Sequence, residues 1–217
     1  MKIIKITPIG MFAVNCYIVV SKAGNAVMID CPEEGGAEGL LAELEKIGAK
    51  LTKILLTHGH CDHIETLAEI ANATGAEVYI HKFDAPKLTD SHGNLSEFFA
   101  AYLDGPVKHY DKAIAVSDGD IIKQDELEFK VMHTPGHTSG CVCYIVDDVM
   151  FSGDTLFRDS IGRTDMVDGN YQVLSESLKK LTEITENYRV LSGHGDETTL
   201  DREKNHNPYI GGNMFEF

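Results

Sequence analysis

The segment Thr57-His58-Gly59-His60-Cys61-Asp62-His63 holds three histidines and one aspartate within six positions. It directly follows the apolar run Ile54-Leu55-Leu56, which predicts a strand that ends at this segment. Imidazole and carboxylate groups are poor core side chains, whereas neutral imidazole is a common metal ligand. A glycine-containing loop held by the end of a strand therefore predicts a metal site rather than a polar surface loop.

Three later segments also place a metal-capable residue beside glycine at the end of a predicted strand. They are Gly136-His137, Gly153-Asp154 and Gly193-His194-Gly195. Glycine allows the backbone to come close to a shared centre. With the first segment they supply five imidazoles and two carboxylates, more than one tetrahedral zinc ion can use. The set predicts two adjacent metal ions that share a bridging carboxylate and a bridging water, as in two-metal hydrolases.

Several other candidate ligands are interpreted differently. His81, His92 and His109 lie in the least regular part of the sequence, and we expect them at the surface. His133 lies four residues before a predicted ligand, and we place it outside the ligand set. Cys61 lies between ligands, and we interpret it as a side chain at the entry of a helix rather than as a ligand.

Composition limits the class of protein. Of the 217 residues, 43% are hydrophobic and 24% are charged, near the averages of globular proteins. No linker or repeat is visible, so we expect one domain over residues 1–217. The 34 acidic and 19 basic residues give a formal net charge of −15, which argues against nucleic acid and an anionic membrane surface as partners. We expect a small-molecule substrate and a monomer or homodimer.

The N-terminal residues, the lengths of the apolar runs and the cysteines indicate the cellular location of the protein. Residues 1–6 are too short and too alternating for a signal peptide, and no apolar run approaches the length of a membrane span. The five cysteines form no disulfide framework. We therefore expect a cytoplasmic protein with free thiols.

The order of predicted elements indicates the fold class. Strands are predicted at residues 2–7, 14–20, 26–30, 52–56, 77–80, 113–116, 120–122, 126–132, 141–146, 148–151 and 189–191. Helices are predicted at residues 37–47, 63–73, 97–103, 171–186 and 198–206. Two similar halves of this kind predict an α+β fold, in which two mixed β-sheets pack face to face with the helices outside, an αββα sandwich.

Together these motifs resemble those of the metallo-β-lactamase superfamily. His-x-His-x-Asp-His at 58–63 matches its signature, and the segments 134–138, 153–157 and 193–195 match its later ligand motifs in the same order. The resemblance spans nearly the whole chain. The segment 153–165, together with 194–199 and 207–209, is most similar to the short, single-domain type II glyoxalases, which are hydroxyacylglutathione hydrolases.

The resemblance implies a role for each matched residue. It assigns His58, His60 and His137 to a first metal and Asp62, His63 and His194 to a second. Asp154 would be a ligand of both metals. Asp30, which alone is typical of a turn, would support the metal loop. Arg163 would contact the thiol part of the substrate.

The implied reaction is hydrolysis of a small thioester, S-2-hydroxyacyl-glutathione or a related acyl-thiol. Two divalent metal ions, zinc with iron or manganese as alternatives, would lower the pKa of water to about 7, so that a bridging hydroxide can attack the carbonyl. Asp62 would orient the hydroxide and take up its proton. The second metal would hold the departing thiolate.

Two departures from the family pattern leave the substrate open. Ile64-Glu65 follows the signature where the family has an apolar residue and glycine, and Asp196 replaces a tyrosine that contacts glutathione in longer type II glyoxalases. An acidic residue there would repel the carboxylates of glutathione. The alternatives are a mononuclear-iron persulfide dioxygenase, which shares the motif order, and another hydrolase of this fold, such as a lactonase.

Overall fold

Two six-stranded mixed sheets lie face to face between two layers of helices. The computed structural model describes residues 1–6, 12–32, 36–103 and 105–210. This architecture confirms the predicted α+β sandwich. The predicted first strand included residue 7, which lies outside the described residues.

The first sheet belongs to the N-terminal half. In spatial order its strands are β1 (Lys2–Ile6), β2 (Cys16–Val20), β3 (Asn25–Ile29), β4 (Lys50–Leu55), β5 (Glu77–His81) and β6 (Ile114–Val116). The first three strands pair antiparallel, and the strands from β3 to β6 pair parallel. The helices of this half are α1 (Gly36–Ile47), α2 (Cys61–Ile64), α3 (Leu67–Thr74) and α4 (Ser96–Phe99), with a 3₁₀ helix at Ala85–Thr89.

The second sheet belongs to the C-terminal half. Its strands are β7 (Ile121–Gln124), β8 (Leu127–His133), β9 (Val142–Val146), β10 (Val149–Gly153), β13 (Arg189–Ser192) and β14 (Thr198–Thr199). Only β10 and β13 pair parallel among these described strands. Three elements lie between β10 and β13 in the sequence: the strands β11 (Leu156–Phe157) and β12 (Ser160–Ile161), which form a hairpin, and the helix α5 (Tyr171–Glu183). The helix α6 (Leu200–His206) follows β14.

Alternation along the strands produces the layers, because successive side chains of a strand point to opposite faces. In β2, Tyr17 and Val19 enter the core between the sheets, whereas Cys16 and Ile18 enter the core beneath the helices. On the far side, Leu174 and Leu178 of α5 pack against the outer face of the second sheet. Each sheet is thus buried on both faces.

The predicted continuous helix over 63–73 was wrong. The helix ends at Ile64 and a new one begins at Leu67, because the backbone between them bonds to the end of β3 instead. The N–H of Cys31 donates to the His63 carbonyl at 2.8 Å, and the N–H of Thr66 donates to the Cys31 carbonyl at 3.1 Å. The break fixes α2, which carries two predicted ligands, against β3.

Two further predictions differ from the structure. Between the predicted strand at 148–151 and the predicted helix at 171–186, where the sequence indicates no element, the structure has the hairpin β11–β12. The helix predicted from residue 198 begins at Leu200, since residues 198–199 pair with β13 and the Thr199 hydroxyl caps the helix by accepting from the Arg202 N–H.

Backbone hydrogen bonds join the two sheets at the edge where β4, β10 and β13 end. The N–H of Val142 donates to the Thr57 carbonyl at 2.9 Å, and the N–H of Asn15 donates to the Gly193 carbonyl at 2.6 Å. These bonds bring the predicted ligand loops of both halves to one end of the sandwich. Of the helices in the described ranges, none has the length and apolar composition needed to span a bilayer.

Replacing Phe129 by alanine tests the core between the sheets. Phe129 is fully buried in β8, and loss of a buried phenyl ring costs about 3–5 kcal/mol of unfolding free energy. Urea denaturation should therefore show a large decrease in the midpoint. Phe98→Ala, at a ring that is 56% exposed, is the control, and equal losses for the two variants would contradict this account.

Candidate metal centre

The metal-capable loop begins where β4 ends and runs into α2. His58 and His60 lie on the loop itself, and Asp62 and His63 lie in the first turn of α2. The three imidazoles are buried, and Asp62 is partly exposed. Because α2 continues directly from the loop, Asp62 and His63 of the helix lie on the same side of the chain as His58 and His60 of the loop.

The structure brings all seven predicted ligands together. They form three overlapping groups in which the ligand-capable atoms lie within 4.8 Å of one another: His58, His60 and His137; His58, His63 and Asp154; and Asp62, His63 and His194. The first and third groups have the same members as the two ligand sets that the resemblance implies.

Distances around Asp154 are those of atoms that share an ion rather than a proton. Its Oδ1 lies 3.4 Å from His63 Nε2, and its Oδ2 lies 3.6 Å from His137 Nε2 and 3.3 Å from His194 Nε2. These separations exceed good hydrogen-bond lengths, whereas two nitrogen ligands of one tetrahedral zinc ion lie roughly 3.4 Å apart. Asp154 Oδ2 therefore lies between the first and third groups, where a bridging ligand belongs.

Unpaired buried atoms support the same interpretation. In the described part of the chain, six buried side-chain nitrogen or oxygen atoms have no hydrogen-bond partner. Four of the six belong to this cluster: His60 Nε2, His63 Nε2, His137 Nε2 and Asp154 Oδ1. A buried polar atom without a partner is costly, so a concentration of them in one place fits a bound cation.

In His63, His137 and His194, the ring nitrogen opposite Nε2 is held by a hydrogen bond to another part of the protein. Nδ1 of His63 donates to Asp30 Oδ2 at 2.8 Å, that of His137 to the Arg163 carbonyl at 2.7 Å, and that of His194 to the Phe12 carbonyl at 2.8 Å. Such bonds fix the tautomer and the ring orientation of metal-binding histidines. Each leaves Nε2 directed at the cluster.

Burial and neighbouring charges set the protonation of the cluster. Burial, together with the adjacent imidazoles, lowers the pKa of His58 and His60 well below the usual value, so both are neutral and ready to bind metal. Burial also opposes charge on His63, but the carboxylates of Asp154 and Asp30 outweigh it and raise the pKa of His63 well above the usual value. Metal binding at His63 must therefore displace a proton.

Asp30 lies directly behind the metal loop. Its Oδ1 accepts from the Thr57 N–H, and its Oδ2 accepts from the Thr57 hydroxyl and from His63, all at 2.8 Å. The residue is buried and has a left-handed φ of 59°. It thereby connects the end of β3 to the start of the loop and to one ring of the cluster.

Sequence reasoning missed Asp84, a second buried carboxylate that contacts the ligand loops. It accepts from the Gly59 N–H and from the Thr138 hydroxyl, each at 2.8 Å, and pairs with Lys87 Nζ at 2.8 Å. Lys87 also pairs with Asp168 at 2.7 Å. Asp84 thus links the first ligand loop to the loop of His137. No motif signals it, since it lies more than twenty positions from either loop.

The expectation for His81 was wrong. It is buried, and its ring stacks on that of His133 with 4.0 Å between centroids, because β5 and β8 end next to each other on facing sheets. Burial and the His133 imidazole lower the pKa of His81 to about 4. His92 and His109 are exposed as expected. Neither His133 nor Cys61 belongs to any metal-capable group among the described residues.

A pocket of about 390 Å³ opens beside the cluster. Arg163 contributes to its lining, but the guanidinium makes a two-pronged ion pair with Asp165, at 2.7 Å from Nε and 2.8 Å from Nη2. The main-chain carbonyl of Arg163, which the sequence did not single out, holds His137. Cys61 also lines the pocket, and burial raises the pKa of its thiol to about 12.

Comparison with known proteins gives consistent matches. Residues 9–194 match the model of a family described as the Metallo-beta-lactamase superfamily. The hydroxyacylglutathione hydrolase GloC of Haemophilus influenzae is 33% identical over 215 residues, which cover 95% of this chain and 97% of that relative.

Two solved structures are similar over almost the whole chain. The crystal structure of BLEG-1, a B3 metallo-beta-lactamase, has a TM-score of 0.85 and 32% identity and covers 97% of this chain and 100% of its own. The crystal structure of TTHA1623 in a di-iron-bound form has a TM-score of 0.82 and 33% identity, and it covers 95% of this chain and 100% of its own.

Asp30→Asn tests the support of the metal loop. Asparagine tolerates a left-handed backbone, so the substitution removes the charge that holds His63 and leaves the chain path unchanged. Loss of such a partner lowers metal affinity about 10–100-fold, which competition with a chromogenic zinc chelator would measure. Asp147→Asn, at an exposed turn with a φ of 50°, is the matched control. Equal zinc affinity in the two variants would refute the role of Asp30.

Proposed function

The chain belongs to the metallo-beta-lactamase superfamily, and from this premise we propose that it is a dinuclear metal-dependent hydrolase of small thioesters. The substrate class is S-2-hydroxyacyl-glutathione and related acyl-thiols. One observation carries the dinuclear part: Asp154 Oδ2 lies within 3.6 Å of a histidine from each of two separate three-residue groups. The resemblance of segment 153–165 to type II glyoxalases, and the named activity of the Haemophilus relative, support the thioester.

The metal-capable groups and the family support bound divalent metal ions. In our proposal the first ion is held by His58, His60 and His137, the second by Asp62, His63 and His194, and both by Asp154. Zinc suits this set of nitrogen and carboxylate ligands, and iron is the alternative, since TTHA1623 was crystallised in a di-iron form. When bound, such ions polarise a carbonyl and lower the pKa of water to about 7.

The protein's own groups complete the proposed reaction. Asp62 is the partly exposed carboxylate of the cluster and lines the pocket, so it can orient the attacking water and accept its proton. The hydrogen bonds of His63, His137 and His194 hold the cluster rigid while charge develops on the carbonyl oxygen. A thiolate is a good leaving group, so the reaction requires no protein nucleophile.

Turnover of a thioester by the wild-type protein is the first test. Protein replete with metal should hydrolyse S-lactoylglutathione or another lactoyl thioester, followed by release of free thiol. The β-lactam nitrocefin is the comparison substrate, because BLEG-1 is a B3 metallo-beta-lactamase. Absence of thioester turnover in a metal-replete sample would refute the proposal, and nitrocefin turnover alone would place the chain in another branch of the family.

His60→Ala tests the cluster itself. The substitution removes one ligand of the first ion, so activity should fall at least a thousandfold and metal content should decrease while circular dichroism stays unchanged. His109→Ala, at an exposed histidine outside the cluster, should leave both properties intact. Normal metal content and turnover in His60→Ala would contradict the assignment.

Metal content distinguishes the proposed enzyme from the alternative dioxygenase. We expect two divalent ions per chain by elemental analysis. One iron per chain, with oxygen uptake in the presence of a persulfide, would instead favour the mononuclear-iron persulfide dioxygenase.

A further inference from the structure

The pocket beside the cluster has a mostly apolar wall. Besides the metal-capable residues, its lining consists largely of apolar side chains: Phe12, Leu95, Phe99, Phe157, Ile161 and Met166. Of the other described residues that line it, only Cys61, Ser160 and Arg163 carry a polar group. A volume of about 390 Å³ is within the range of small-ligand pockets.

The apolar wall is fixed by packing. The rings of Phe12 and Phe99 meet edge to face with 5.4 Å between centroids, and both pack, with Met166, against the core beneath the helices. Across the pocket, the ring of Phe157 lies 5.9 Å from that of His194. Aromatic pairs of this geometry are stabilising, so the wall is present before substrate arrives.

The arginines of this region are already paired. The Nε–Nη2 edge of the Arg163 guanidinium is occupied by Asp165. Arg158 lies 3.8 Å from each of two carboxylates, those of Asp159 and Asp196. An anionic substrate arm would therefore have to compete with Asp165, Asp159 and Asp196 for these two arginines.

We propose that the thiol arm of the substrate is apolar and uncharged, and that the site disfavours thioesters of glutathione. This inference rests on the proposed thioester hydrolase function and specifies its substrate. The acyl group lies at the metal cluster, and the thiol arm lies along Phe12 and Phe99. Removing apolar surface from water stabilises binding in proportion to its area, whereas the carboxylates of glutathione would lose hydration beside arginines that already have carboxylate partners.

Three lactoyl thioesters test the proposal on the wild-type, metal-replete protein. Their thiols are glutathione, N-acetylcysteamine and phenylmethanethiol, which share an alkyl thiolate leaving group and differ in charge and apolar area. We expect kcat/KM for the phenylmethanethiol ester to exceed that for the glutathione ester at least tenfold. A preference for the glutathione ester would overturn this inference and leave the proposed function standing. Failure of all three would overturn both.

Phe99→Ala tests the apolar wall, with Phe98→Ala as the matched control. Phe98 is adjacent in sequence, exposed, and does not line the pocket. Phe99→Ala should lower kcat/KM about tenfold for the phenylmethanethiol ester and less than threefold for the N-acetylcysteamine ester. The retained turnover of the N-acetylcysteamine ester shows that the variant is folded and loaded with metal. Equal losses for both esters, or the same effect in Phe98→Ala, would contradict the placement of the thiol arm.

Asp165→Asn tests whether this carboxylate withholds Arg163 from the substrate. Exposed ion pairs are weak, so releasing Arg163 should lower KM for the glutathione ester about two- to fivefold and leave the phenylmethanethiol ester unchanged. Glu128→Gln removes the same charge from an exposed pair with Lys123, at 2.8 Å on the far strands, and should change neither. The same KM for the glutathione ester in the two variants would show that Asp165 does not withhold Arg163 from the substrate.

Discussion

The buried carboxylate of Asp30 is the interaction on which the arrangement of the site depends. A charge removed from water is tolerated only when its oxygens are fully bonded, and here the partners are the backbone and hydroxyl of Thr57 and the ring of His63. These bonds hold the end of β3 beside the end of β4 and hold His63 of α2 against Asp30. The break between α2 and α3, where the backbone of His63 and Thr66 bonds to Cys31, lies directly beside this contact.

Close approach of the two sheets is the second constraint, and it explains two glycines. A Cβ at Gly193 would lie 2.7 Å from His63 Cε1 and 2.3 Å from Asp154 Oδ1, and a Cβ at Gly153, which has a left-handed φ of 48°, would lie 2.5 Å from the Thr57 side chain. Any side chain there would displace a carboxylate or the start of the metal loop. The glycines beside the ligands thus provide the space in which the two halves of the cluster meet.

The sequence predicted most of what depends on local pattern. Most of the strands, the sandwich and the seven metal-capable residues follow from hydrophobic alternation and from ligands placed next to glycine. Contacts between distant segments could not be predicted, because no periodicity encodes them: Asp84 beneath two ligand loops, the carbonyls of Phe12 and Arg163 behind their histidines, and the stacked His81. The helix break escaped prediction because the apolar spacing of Ile64 and Leu67 continues across it.

His194 is more than a hundred positions from His63 in the sequence, yet both belong to one metal-capable group. It is held from the other end of the chain, by the Phe12 carbonyl and by a bridge to Val14. During synthesis on the ribosome this group stays incomplete until the last strands have emerged and closed onto the first. Assembly of this part of the centre therefore cannot precede the packing of β13 against the segment before β2.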